Sequence, residues 1–170
     1  MKSGMRVTVD RMKEVLNIIQ EFESTIVLVG IPSEEAGRGE GAVTNTELGR
    51  IHEYGAPAAG IPPRPFLEPG VSDARDEAAA LFAEGASAAL DGDRSAMRRS
   101  LSRAGEVAVK TVQARFNNNN WAPLTEAALR SRARRHKYLK KKGKLQANAQ
   151  PLIDTGKLRR SITYVLRKVK

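Results

Sequence analysis

The chain has no cysteine, only two histidines and one tryptophan in 170 residues, and aromatic side chains make up 5% of it. Without cysteine there is no disulfide frame, no thiolate nucleophile and no cysteine-based metal centre, which suits a reducing compartment. With so few aromatics, a core must be built mainly from Ala, Val, Leu and Ile. The histidines, His52 and His136, are far apart. His52-Glu53 opens like half of a helical zinc-protease motif, but the second histidine would have to stand where Ala56 is. No metal site and no cofactor are expected.

Long hydrophobic runs are missing too. The longest apolar stretch, TIVLVGIP (25–32), has the length of a strand, against the ~18–20 residues needed to cross a bilayer. The opening MKSGMRVTVDRMKEVLN carries charges where a secretory leader needs an apolar centre, so neither leader nor membrane span is expected. GRGEG (37–41) lacks the Gly-Lys-Ser/Thr ending of a phosphate loop and has acids beside it. No nucleophile elbow and no distinctive carboxylate pair appear, so no catalytic residue is assigned and the chain is not expected to be an enzyme.

What is present begins with alternating helix and strand signals. The length suits one structural domain spanning 1–170 with a core of its own. Met12, Val15, Leu16, Ile19 and Phe22 fall at helical spacing over 11–23. TIVLVGI (25–31) reads as a strand buried on both faces. Residues near 33–43 form a mobile loop by composition. Thr44 or Asn45 caps a short helix containing Leu48, Ile51 and Tyr54 on its inner side, ended by Gly55.

After a proline-rich stretch, Ser72 or Asp73 caps an alanine-rich helix over about 72–90. A second long helix covers about 94–116, with Met97, Leu101, Ala104, Ala108, Val112 and Phe116 as its apolar stripe. Four asparagines (117–120) break it. Thr125 caps a short helix to 135, and the polar, basic stretch 136–150 reads as a second mobile loop. Asp154 or Thr155 caps a last helical turn, and a strand near 161–169 pairs with 25–31. The expected fold class is α+β: a small, mainly antiparallel sheet packed with several helices, two of them long.

Charge is divided along the chain. Residues 1–92 hold 8 Lys/Arg against 15 Asp/Glu, while 93–170 hold 21 against 4. A polarised surface follows. The densest run, RSRARRHKYLKKKGK (130–144), can be a solvated face, a contact with an acidic protein neighbour, or a contact with DNA or RNA. Tyr138 is its single aromatic and no named nucleic-acid motif accompanies it. The protein-contact reading makes Arg132, Arg134, Arg135 and Lys137 candidate interface residues.

Five of the chain's eight prolines lie in IHEYGAPAAGIPPRPFLEPG (51–70). Each fixes its own φ and restricts the residue before it, so Ile61 to Pro65 should be extended and stiff. Residues 55–70 therefore read as a docking loop that has little entropy left to lose on binding. Arg64 can offer its planar fork to a carboxylate. Phe66 and Leu67 can fold back as a core plug or face outward as interface anchors.

That segment resembles the hEyG…iPpRPFl signature of bacteriophage virion-morphogenesis proteins. WAPLTEAALRSRARR (121–135) followed by PLIDTGKLRRSITYVL (151–166) is similar to their W-x-PL-t…pLidTG-L-rrSi signature. Together the two cover less than half of the chain. The matching positions are Glu53, Tyr54, Gly55, Pro62, Pro63, Arg64, Pro65, Phe66 and Leu67, then Trp121, Pro123 and Leu124, then Leu152, Asp154, Thr155, Gly156, Leu158 and Ser161.

The resemblance implies a tail-completion or neck-associated minor tail protein: an α+β, non-enzymatic virion component at the head–tail junction or proximal tail, assembled in the host cytoplasm. It implies a homo-oligomeric ring, most often sixfold, joining portal-side neck proteins to tail-tube or tail-terminator proteins, with DNA passing or touching it. Glu53 to Leu67 then serve interface and assembly. Gly55, Trp121, Asp154, Thr155 and Gly156 serve turns and caps. The competing reading is a basic nucleic-acid-binding module.

Overall fold

The computed structural model describes residues 10–32, 43–117, 120–141 and 150–169. In chain order the elements are α1 (Met12–Glu23), β1 (Thr25–Gly30), α2 (Asn45–Tyr54), a 3-10 turn (Pro57–Ala59), α3 (Leu67–Asp73), α4 (Arg75–Leu90), α5 (Arg94–Arg115), α6 (Glu126–Lys141), α7 (Lys157–Arg160) and β2 (Thr163–Lys168). Among the described residues this makes seven helices and one two-stranded antiparallel sheet, the α+β class expected from the sequence. None of the described helices is long and apolar enough to cross a membrane.

Helix α5 organises the rest. Asp93 caps it by accepting the Ala96 N–H at 2.9 Å. Its apolar stripe, Met97, Leu101, Ala104, Ala108, Val112 and Phe116, is wholly buried. Met97 and Leu101 join Ile18 and Ala89 in one cluster; Val112 and Phe116 join Phe66, Leu152, Leu158 and Ile162 in another. Small residues let neighbours approach closely. A Cβ on Gly70 of α3 would stand 2.6 Å from Val112 Cα, and one on Gly105 would run into the ring of Tyr164. Glu21 of α1 pairs with Arg94, at 3.1 Å, and with Arg98, fixing α1 to α5.

β1 and β2 pair from Thr25 opposite Lys168 to Gly30 opposite Thr163. Pairing the two ends of the chain matches expectation, but burial on both faces does not. Val27 and Val29 pack toward the helices, while Ile26 and Leu28 are 38% and 40% exposed and Val165, opposite Leu28, is 46% exposed. Two strands give only one helix layer to pack against, so the second face stays open.

Other expectations need correction. In α1 the buried face is Ile18 with Ile19 and Phe22, and Met12 and Leu16 are exposed. The helix expected over 72–90 is two helices meeting at Ala74, and neither Ser72 nor Asp73 caps α4, because both lie in the last turn of α3. The loop expected over 136–150 is helical to Lys141, where α6 ends. Residues 33–42 and 142–149, the remainder of the two expected mobile loops, lie outside the described residues apart from Val43 and Gln150. Thr44 and Thr125 are caps, as expected.

Gly70→Ala tests the α3–α5 approach. A methyl group pressed against helix backbone should cost about 1–3 kcal/mol. Urea unfolding should show a lower midpoint with an unchanged slope, since the exposed area on unfolding is the same.

Candidate assembly surface

The proline-rich segment begins where Gly55 ends α2 at φ 76°. A Cβ there would stand 2.9 Å from both Ile61 O and Pro63 N, so glycine is required. The chain then makes a 3-10 turn and closes on itself by a bridge between Ala56 and Ile61. The Arg64 N–H donates to His52 O at 2.6 Å, laying the extended prolines along α2. The extended part is shorter than 55–70, because α3 starts at Leu67. Pro69 is accommodated in the first turn of α3, where an absent N–H costs nothing.

Glu53 makes that early start possible. Its Oε2 accepts the N–H groups of Phe66 and Leu67, each at 2.8 Å, and its Oε1 accepts the Glu68 N–H at 2.9 Å. A carboxylate from α2 thus satisfies the orphan donors of α3 and sits at its positive dipole end. Glu53 is 7% exposed, so its role here is an internal cap. Phe66 resolves the choice left by the sequence: it is 1% exposed and meets the Phe116 ring edge-on at 4.8 Å between centroids. Leu67 packs half-buried beside it.

Arg64 corrects its expectation as well. At 4% exposure it is unavailable to an outside carboxylate. Its Nε donates to Ala122 O at 3.0 Å and its Nη2 to Pro123 O at 3.1 Å. The fork therefore ties the prolines to the segment at Trp121, which packs half-buried on the same core. Burial holds the Arg64 guanidinium below the ordinary arginine value.

The third motif segment is gathered by α6. Arg132 Nη1 donates to Gln150 O at 2.7 Å and to Ile153 O at 3.1 Å, and Arg135 pairs with Asp154. Burial lowers the Arg132 value, with the Asp154 charge acting against that shift. Asp154 thus serves an ion pair and is not the N-cap of α7. Gly156, left-handed at φ 71°, occupies the N-cap position of α7, and Thr155 only accepts a long bond from the Lys157 N–H at 3.4 Å. A polar cleft of about 230 Å³ remains here, lined by His52, Arg132, Arg135, Asp154 and Lys157 among others.

The candidate residues therefore divide. Glu53, Arg64, Phe66, Arg132 and Asp154 hold the motifs together internally. Tyr54, at 70% exposure, Pro63, Pro65, Arg134 and Lys137 face outward, so Tyr54 is not on the inner side of α2. Leu67, Pro62, Trp121 and Gly55 are half-buried, and Arg135 is exposed beside its partner. The sequence reading missed the cap on α3 and the close glycines. Gly85 and Gly105, isolated within helical patterns, were the available signal of close packing.

Replacing Arg64 by Lys keeps a charge but loses the fork, leaving one or both carbonyls unsatisfied, at about 1–3 kcal/mol. Trp121 is the only tryptophan. Its emission should shift to the red in Arg64→Lys under conditions where far-ultraviolet circular dichroism is still native. Coincident transitions would show that the tie is not local.

Comparison with protein-family models, curated proteins and solved structures finds no match to this chain.

Proposed function

We propose that the protein is a structural subunit of a tailed bacteriophage virion, a tail-completion or neck component that forms a ring at the head–tail junction or the proximal end of the tail. The observation that carries this reading is the convergence of the motif segments. Residues 51–70, 121–124 and 150–158 are far apart in the chain, yet Arg64, Arg132 and Arg135 bind them into one unit. Residues that resemble a single family's signature thus share one physical task, holding an extended prolyl segment against the core.

The arrangement suits assembly. The segment is rigid before any partner arrives, so docking through Tyr54, Pro63 and Pro65 loses little conformational entropy. A ring subunit also needs two different faces, since its contacts run head to tail. The division of charge along the sequence is partly used up inside the fold, where Arg94, Arg98, Arg103 and Arg115 of the basic half pair with Glu21, Glu84 and Asp73 of the acidic half, so the reading rests on the shape of the segment. The partners are further copies of the chain, six being the favoured number, together with portal-side neck proteins and tail-tube or tail-terminator proteins.

The exposed cations of α6 favour a second reading, contact with nucleic acid. That reading requires an affinity for duplex DNA that falls steeply with salt.

Arg134 and Lys137 provide a clean test, because both are exposed, whereas Arg135 already serves Asp154. Arg134→Glu with Lys137→Glu should change folding stability by no more than about 0.5 kcal/mol. Complementation of a phage lacking the protein should nevertheless yield unjoined heads and tails. Normal particle yield, or absence of the wild-type chain from purified virions, would count against the reading.

A further inference from the structure

We infer that the polar cleft between α2, α6 and α7 is a recognition site for a single carboxylate, carried by an acidic side chain of a partner chain. The inference asks nothing of the virion reading. The cleft, of about 230 Å³, is lined by Arg132, Arg135, Asp154, Thr155 and Lys157, with His52 beside them. Leu152 and Leu158, both buried, complete its lining. Three cations thus share the cleft with one carboxylate.

The fold uses part of that charge. Arg132 donates to Gln150 O and Ile153 O, and Arg135 gives one nitrogen to Asp154. Among the described residues no other group bonds to Arg135, and the exposed Lys157 has no carboxylate partner. Arg160 adds a further cation at the margin. Its Nη2 donates to Thr155 O at 3.1 Å, and its Nη1 stands 3.0 Å from where a Cβ on Gly156 would be. The cations also act on one another. Burial lowers the Arg132 value and Asp154 opposes that shift, while the charges of Arg135 and Arg64 lower it further. Of the segments outside the described residues, only 33–42 carries Asp or Glu, at Glu34, Glu35 and Glu40.

Charge and size together choose the ligand. With Arg132 held by carbonyl dipoles and Arg135 by Asp154, Lys157 is the lining charge left to answer, and it matches a monoanion. Attraction to the cleft grows in proportion to a ligand's charge, whereas the cost of stripping its water grows with the square. A carboxylate is therefore favoured over a phosphate dianion beside the two leucines. Sites that bury a whole small ligand hold roughly 300–1,000 Å³. This smaller cleft suits the tip of one side chain whose other end is held by its own backbone. There the carboxylate would accept from Lys157 and from the part of Arg135 that Asp154 leaves, so that two carboxylates flank one planar guanidinium.

His52 makes the cleft observable. The chain has two histidines, so labelling histidine at Cε1 with carbon-13 gives two resonances in the full chain, and His136→Gln assigns them. At fixed pH and ionic strength, acetyl-Gly-Glu-Gly-amide should move the His52 resonance saturably, and acetyl-Gly-Gln-Gly-amide should leave it in place. Lys157→Gln should weaken binding of the Glu peptide at least about threefold, and Lys157→Glu at least about tenfold. Asp154→Asn removes the competing carboxylate and should tighten binding at least about threefold. Melting curves matching wild type establish that the Lys157 variants are folded, and these two alone suffice for the test.

A His52 resonance that ignores the Glu peptide, or moves equally with both peptides, overturns the inference. Tighter binding of inorganic phosphate than of the Glu peptide at the same ionic strength overturns it in favour of a phosphate group. Binding at least about tenfold tighter in Glu34→Gln/Glu35→Gln/Glu40→Gln than in wild type would show that the chain fills its own cleft, which overturns the partner.

Discussion

A single carboxylate decides how the middle of this chain folds. Glu53 leaves α2 and accepts three backbone N–H groups at the start of α3. Without such a partner, a seven-residue helix that begins straight after prolines would bury unsatisfied donors, each at about 1–3 kcal/mol. With it, α3 can start at Leu67, and Phe66 is carried into the core against Phe116. Gly70 can then lie against Val112 on α5. The position of the prolyl segment follows, since its downstream end is fixed by that cap and its upstream end by Gly55.

The arginines complete what the carboxylate begins. Arg64 uses its planar fork on two carbonyls, a geometry that lysine cannot reproduce, and Arg132 reaches two more through Nη1. Both stabilise segments with little regular structure, where backbone carbonyls would otherwise lack partners. The strongly basic composition therefore has two physical origins. Some cations are spent inside, as backbone donors, and their number says nothing of an external partner. Those turned outward, such as Arg134 and Lys137 on α6 and Arg167 on β2, contribute to the surface field.

The long-range skeleton was legible in the sequence where periodicity was strong. The stripe of α5 is buried residue for residue, and the two terminal strands pair as their β-branched composition suggests. Legibility failed where tertiary partners override local rules. Pro69 and the prolines before it read as loop, because nothing local reveals that Glu53, thirteen residues before Phe66, will cap a helix there. The basic stretch beyond Arg135 read as loop for want of an apolar period, yet α6 runs on to Lys141. Straight-chain basic residues are good helix formers, and their propensity gave a better guide than the missing stripe. For the candidate residues, the sequence did not reveal which side of each segment faces inward. Arg64 was read as facing outward and is buried, because proline rigidity fixes a backbone path without saying which way a side chain turns.

The same logic explains why this fold leaves a sheet unfinished. The helices wrap only one face of β1 and β2, and α5 is already committed on both sides, to α4 and to the sheet. Among the described residues no third strand lies beside β1. A chain selected to stand alone would be expected to place a charge or a proline within β1, as edge strands do. β1 carries no charge or proline within its span, and the groove lined by Val27 and Val29 is apolar apart from Ser72 and Arg75.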